Sequence, residues 1–404
     1  MHFGGVHSAV TSTLVSARGL LIPLCVIVGA NTFSIGGFPA LLPEMSSVAG
    51  LADWELGILT GVFGFARMIS DIPAGLFIQR HLRSALLIAP LGIVGGVLCL
   101  GAGGPFWILV LGRGLMAVGH TLGMLGGITA ILRYSAASRL GSSLNVYEFS
   151  AMIGMLGGVL LVGSLPTTLP WNLALILTCS PQLVGIAILP LALRALPRDG
   201  ATDAEPRTDA AVIAPRPKAA GPSSLMVLAF AAGATIALTY TTVEQFLLPL
   251  RASREFGLGR SGVSYLLMTT QLTDLLALLP VGLLADRRGV ARMLGLVLFA
   301  FAAGAILIGF GTLPLMVLGC ASFGLGMAGW MLPLGVLRSV TSPERIGWLI
   351  ALYRVSVDAG MFLGPFVSGV LGLARAGVLP VVLAVILTLI ALGLLRHPDA
   401  RSRP

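Results

Sequence analysis

The sequence predicts an all-α integral membrane protein, with twelve transmembrane helices in two pseudo-symmetric six-helix bundles. Three observations predict it. Charged residues make up only 10% of the 404 residues and hydrophobic ones 56%, with a mean hydropathy of +0.97. A soluble domain carries about 25% charged residues, so most of this chain's surface must face lipid rather than water. Apolar runs long enough to cross a bilayer, about 20 residues each, recur twelve times. The second half of the chain also repeats the first at a fixed offset.

In order, the expected spans of the first half are Gly19–Leu42, Glu55–Gln79, Ser84–Gly103, Phe106–Ile131, Ser143–Leu165 and Trp171–Leu193. Those of the second half are Ser223–Leu247, Ser261–Leu284, Ala291–Gly311, Leu313–Leu337, Ile346–Val370 and Ala376–Leu395. Between them, residues 194–222 are rich in Pro, Ala and charge and lack apolar periodicity, which reads as a solvated linker. The chain therefore divides into a bundle at 1–193, the linker at 194–222 and a bundle at 223–404. The first apolar run lacks a small-residue cleavage site after a short core and reads as a retained anchor.

Arginine sets the expected orientation. With the N-terminus inside, inner loops and tails collect eighteen Lys and Arg residues, and outer loops collect four, at Arg251, Arg254, Arg260 and Arg375. The positive-inside rule then places both termini and the linker in the cytoplasm, with a bacterial inner membrane as the expected location. The net charge of +9 is spread over these short loops, so no nucleic-acid partner is expected. Cys25, Cys99, Cys179 and Cys320 all fall inside apolar runs and read as small buried hydrophobes. No metal site or cofactor is expected, and a monomer is.

The halves align residue by residue. An offset of 207 places Pro73-Ala74-Gly75-Leu76 on Pro280-Val281-Gly282-Leu283, and Arg80 on Arg287. An offset of 206 places Tyr147, Ser150, Gly154, Met155, Gly158 and Gly163 on Tyr353, Ser356, Gly360, Met361, Gly364 and Gly369. Six spans is an even number, so the two copies share one orientation. Parallel repeats of this kind place a binding site between the halves, near the bilayer midplane.

At these residues the chain resembles the major facilitator superfamily. Gly282-Leu-Leu-Ala-Asp286-Arg287-Arg288-Gly289 is similar to that family's inner-loop signature, GxLaDrxG. The first-half copy keeps Gly75 and Arg80 but has Gln79 in place of the acid. Arg113 with Gly119 resembles the family's fourth-span arginine motif. Gly154, Gly158 and Gly163 partly match its antiporter motif GxxxGPxxGG, and Gly360, Gly364, Pro365 and Gly369 match it better. The resemblance implies a secondary active transporter working by alternating access. It also implies that the first, seventh and tenth spans line the cavity, which makes Asn31, Tyr240, Met327 and Trp330 candidate lining residues; ordinary packing is the plain alternative for each.

A charge deep in the bilayer costs roughly 2.5 to 3.5 kcal/mol on insertion scales, so each one invites a role. Asp274, near the midplane with no arginine within a helical turn, is the first choice for a proton carrier. Glu148 is the second, with a carboxylate matched to its helix N-terminus as the alternative. His120 reads as a packed neutral histidine or a proton relay. Arg113, about 10 Å below the outer surface by helix rise, could bind an anionic substrate or hold an acidic partner during proton transfer, with a purely structural bond to a carbonyl or carboxylate as the alternative. Glu244, at a similar level, is the expected counter-charge of Arg113. Asp286, Arg287 and Arg288 read as an inner latch, or as a plain stop-transfer cluster.

Arg67 and Asp71 are four apart on the second span, and Arg354 and Asp358 four apart on the eleventh, which runs the other way. Helix rise puts Arg67 and Asp358 both roughly 18 Å down, and Asp71 and Arg354 both about 24 Å down. Opposite charges from different halves thus match in depth and read as an interdomain clasp. Two separate intrahelical pairs are the alternative.

Several function classes are excluded or set aside. A P-loop needs Lys followed by Ser or Thr, but the only lysine, Lys218, precedes Ala219. The five histidines form no HExxH motif, so no embedded enzyme is expected. The reading favours proton-coupled efflux of a small organic solute by antiport. Its alternatives are uptake by proton symport of a small metabolite, anionic if Arg113 binds it, and a non-transporting sensor or assembly factor on the same scaffold. The expected partners are that solute, protons and the lipid bilayer.

Overall fold

The computed structural model describes residues 17–135, 140–196, 223–341 and 343–397. Residues 197–222, most of the expected linker and several of the arginines that set the orientation, lie outside the described residues. Among the described residues, twelve helices are long and apolar enough to cross a membrane. In the first half they are α1 (Gly19–Ser47), α2 (Asp53–Arg80), α3 (Leu82–Ala102), α4 (Phe106–Tyr134), α5 (Leu140–Ser164) and α6 (Trp171–Arg194). In the second they are α7 (Ser224–Phe256), α8 (Arg260–Arg288), α9 (Val290–Phe310), α10 (Leu313–Val340), α11 (Trp348–Leu371) and α12 (Leu373–Arg396).

The first helix of each half outruns its apolar run. Helix α1 continues past Leu42 to Ser47, and α7 past Leu247 to Phe256. Hydropathy falls where Glu44 and Arg251, Arg254 and Glu255 begin, but a charge ends the lipid-facing stretch without ending the helix. Both helices also change winding at corresponding places. Helix α1 tightens into a 3-10 turn at Phe38–Leu41, with Pro39 in its first turn, and α7 widens into a π-helix at Tyr240–Leu247. Offset by 206, the π segment maps onto residues 34–41. Paired interruptions of this kind in the two halves of a transporter point to the binding site, and π segments recur at functional sites. Helices α6 and α10 are also broken, after Thr178 and Met327, near Pro181 and Pro333.

The packing repeats with the sequence. Helices α1 and α5 pair closely in the first half, as α7 and α11 do in the second, and α3·α4 is matched by α9·α10. Glycine allows the closest approaches: Gly158 lies against the Phe33 carbonyl of α1, and its repeat-mate Gly364 against the Leu238 carbonyl of α7. A Cβ at either would overlap backbone. The antiporter-like glycines of α5 and α11 thus have a packing role in the fold.

Between halves, α2 packs on α11 and α5 on α8. With an even number of spans, the start of α1 and the end of α12 lie at one end of the bundle, here the termini end; the opposite end is the far end. One buried core joins the whole second half to the far-end part of the first, through Phe38, Leu42, Met45, Leu56, Phe63 and Val162. A separate core, with Leu24, Ile78, Leu86, Ile131, Tyr147 and Leu189, fills the termini end of the first half. The halves therefore share a core at the far end and divide at the termini end.

Candidate functional site

The interface between the halves is a seam that begins at the far end. Arg260, with its side chain fully buried, donates from Nε to Glu44 Oε1 at 2.8 Å and from Nη2 to Glu44 Oε2. It also donates to the carbonyls of Pro166 and Leu169. Arg254 Nη2 donates to Asp53 Oδ1 at 2.7 Å and to Ser46 Oγ at 2.8 Å, and Asp53 Oδ2 accepts the Leu373 amide at 2.9 Å. Two cations of the second half thus hold two acids of the first. Sequence reasoning missed this lock because it counted Arg254 and Arg260 as outer-loop charge and left Glu44 and Asp53 unread. The signal available was opposite charge on loops at one end.

Below the lock, α2 and α11 touch backbone to backbone, Gly57 against Gly369 and Gly61 against the Phe362 carbonyl. The seam reaches four charges at its lower end. Arg67 Nη2 lies 3.0 Å from Asp358 Oδ1. Arg354 donates from Nε to Asp71 Oδ2 at 2.8 Å, and its Nη2 lies at the same distance from that oxygen. Thr121 Oγ1 adds a 3.4 Å hydrogen bond to Asp71 Oδ1. The pairs run across the halves rather than along either helix. Further toward the termini, Gly75 on α2 and Gly282 on α8 face open space where a Cβ would sit.

Beside the seam lies a group of charges from both halves. Arg113 on α4 is 2% exposed, and its Nε and Nη1 have no hydrogen-bond acceptor. Its guanidinium sits 3.8 Å from the Phe38 ring centroid and 4.6 Å from that of Phe63, an arrangement that favours a cation. Glu244 is not its counter-charge. Glu244, in the π segment of α7, is 1% exposed and has Asp274 and Gln271 of α8 as its electrostatic neighbours. Gln271 stands beside that carboxyl, yet neither of its amide atoms nor Glu244 Oε1 completes a hydrogen bond. Matching depth placed Arg113 and Glu244 at one level, but depth says nothing of azimuth, and the two side chains turn to different neighbours.

Tyr240 links the two sides. It lies within electrostatic reach of Arg113, Arg67, Glu244 and Asp274. Its hydroxyl accepts a hydrogen bond from Gln245 Nε2 at 2.9 Å, five residues on, the spacing that a π-helix brings together. Its ring meets Trp330 edge to face at 5.8 Å. The His120 ring lies tilted by 42° against Phe63, centroids 5.6 Å apart, within electrostatic reach of Arg67, Arg113 and Arg354, and its Nδ1 is buried without a hydrogen-bond partner among the described residues.

The remaining candidates lie apart from this group. Asn31 is 1% exposed and its Oδ1 accepts from Gln182 Nε2 at 2.7 Å, so it ties α1 to α6. Met327 is buried in the shared core. Glu148 is nine residues into α5, beyond the first turn where a helix N-terminus acts on a carboxylate, so that alternative fails. Its charged neighbours are Arg67 and Arg354. Asp286, Arg287 and Arg288 are exposed at the end of α8 and enter none of the ion pairs among the described residues. Gly289 follows at φ 93°, a backbone conformation that favours glycine, and turns the chain into α9.

Helices, repeat and interface together define a multi-pass membrane transporter. The family model for the Major Facilitator Superfamily matches residues 24–250 and 225–404, and the chain belongs to that family. An uncharacterised MFS-type transporter of Yersinia enterocolitica is 23% identical over 401 residues, covering 96% of this chain and 98% of its own. A solved bacterial homologue of the human lysosomal transporter Spinster, inward-facing and occupied, matches with a TM-score of 0.71 at 16% identity, over 95% and 98% of the two chains. A POT family transporter in complex with a thioalcohol-conjugated peptide matches with a TM-score of 0.74 at 13% identity, over 93% and 95%. The protein is a secondary transporter by family, not an enzyme.

Proposed function

We propose that the protein exports a small organic solute across a bacterial inner membrane in exchange for protons, as a monomer with both termini in the cytoplasm. The observation that carries this reading is the pair of acids Glu244 on α7 and Asp274 on α8, which are electrostatic neighbours with no arginine paired to either among the described ion pairs. Two neighbouring carboxylates in apolar surroundings cannot both stay ionised at low cost. One proton shared by the pair settles that cost, and a solute that displaces it gives exchange. The groups facing the pair are Tyr240, Gln271 and Cys320.

With the termini end in the cytoplasm, the seam closes the outer side and the conformation faces inward. The lock at Glu44, Asp53, Arg254 and Arg260 and the charge clasp at Arg67, Asp71, Arg354 and Asp358 must then loosen for the cavity to open outward. The exposed Asp286 cluster is the inner latch in its disengaged state. Glu148 and His120, both in the field of the clasp arginines, couple the clasp to protonation.

Asp274→Asn keeps the side chain's shape and removes its proton. In proteoliposomes it is expected to stop gradient-driven transport; unchanged pH-driven transport would remove Asp274 from the mechanism and promote Glu148. The second reading, symport of an anionic metabolite inward, is favoured by one observation, the buried Arg113 Nε and Nη1 that have no acceptor among the described residues. The same assay separates the two by the direction in which protons move.

A further inference from the structure

Arg113 keeps its charge at any physiological pH, and a buried cation needs an anion or a full set of hydrogen bonds. Among the described residues neither reaches Arg113. Its Nε and Nη1 lack acceptors, its side chain takes part in none of the described ion pairs, and the groups against it are two aromatic faces. The rings of Phe38 and Phe63 hold the guanidinium in place, so it is set in position before anything binds. The second half presents the opposite deficit. Glu244 Oε1 is buried without a well-formed donor among the described residues, with Gln271 beside that carboxyl, and Asp274 adds a second acid. Helix α2, whose Phe63 lies against Arg113, packs on the π segment that carries Tyr240 and Glu244, and Tyr240 is within electrostatic reach of Arg113 and of both acids, so the two deficits border one region between the halves. Both sides carry aromatic surface, Phe38 and Phe63 by the arginine, Tyr240 and Trp330 by the acids. The two irregular helix segments, at Phe38–Leu41 and Tyr240–Leu247, each contribute one of these residues.

Resting on the exchange reading above, we propose that the transported solute is an amphoteric small molecule with an aromatic or apolar body, its anionic group held by Arg113 and its amine by Glu244 and Asp274. One such molecule supplies an acceptor to the orphaned guanidinium and a donor to the orphaned carboxylate in a single event. It also joins the halves, because its two ends belong to different bundles. Solutes with one charge leave one deficit open and bind weakly. The amine takes the place that the shared proton holds in the empty site, which links this solute class to exchange.

The test is equilibrium binding to purified full-length protein in nanodiscs, with no gradient. The probes are aryl amino acids with graded separation between carboxylate and amine, together with the matching aryl carboxylates and aryl amines. The best amphoteric probe is expected to bind at least tenfold more tightly than either of its single-charge analogues. Arg113→Gln should remove that advantage, reducing the amphoteric probe to the level of the amine alone while leaving the amine unchanged. Glu244→Gln should do the converse, and retained binding of the other single-charge probe shows that each variant is folded. Equal binding of single-charge and amphoteric probes, no binding by any probe, or indifference to Arg113→Gln would overturn the assignment. Amphoteric binding that meets these criteria, with no proton movement in proteoliposomes, would keep the solute class and remove the exchange reading, so the two fail separately.

Discussion

Reversing one charge of the clasp tests whether the pairs on α2 and α11 couple the two halves. In Arg354→Asp, Asp71 loses the donors at 2.8 Å and keeps only the 3.4 Å hydrogen bond from Thr121. The new acid joins Asp71, Asp358 and the nearby Glu148, against Arg67 alone. Removing one partner of a fully buried pair costs roughly 3 to 5 kcal/mol. The Arg354 side chain is 35% exposed and Asp71 8%, so solvent screening lowers that to about 1 to 3 kcal/mol. If the pair forms only while the outer side is closed, this shifts the equilibrium between states by about 5- to 150-fold and slows transport accordingly. Adding Asp71→Arg leaves two cations on α2 facing two acids on α11, so each cross-half pair regains opposite sign. Like charges four apart on each helix keep the rescue partial. Initial rates of solute movement in proteoliposomes, normalised to inserted protein, read the outcome. A double variant no faster than the slower single variant, at equal insertion, would refute the coupling.

The other pair is more enclosed, with Arg67 20% and Asp358 1% exposed, so Arg67→Gln should cost more than Arg354→Gln in the thermal stability of the purified protein. At the far end, Arg260→Ala removes four hydrogen bonds that join the halves and should raise the labelling of a Phe38→Cys variant by an impermeant thiol reagent added outside cells; unchanged labelling would count against the lock. A cysteine placed at Ala210 in the linker should react with such a reagent only from the cytoplasmic side. Reaction in intact cells would overturn the orientation.

The twelve spans were legible because a lipid solvent leaves little choice of pattern: long apolar runs, few charges and positive loops. The α2–α11 ion pairs were legible for a related reason. Few charges occur at depth, and two i,i+4 pairs on helices running in opposite directions have only one matched order. Arg113 and Glu244 show the limit of this arithmetic, since helix rise fixes height and leaves rotation about the axis free. The π segment of α7 was out of reach, because the residues of Tyr240–Leu247 fit an α-helix as well as a π-helix until the Tyr240–Gln245 hydrogen bond reveals the wider turn. The far-end lock was hidden for a different reason. Glu44, Asp53, Arg254 and Arg260 are ordinary boundary charges in one dimension and become a set only when the halves are docked.

The central claim, exchange of a solute for protons through the Glu244–Asp274 pair, is tested most directly by the sign of proton movement. Proteoliposomes enclosing a pH-sensitive dye, without an imposed gradient, receive the amphoteric aryl probe outside. Antiport predicts that the lumen becomes alkaline as probe enters, and that Asp274→Asn abolishes the change. A lumen that acidifies on probe entry, or probe entry with no change of pH, would contradict the account.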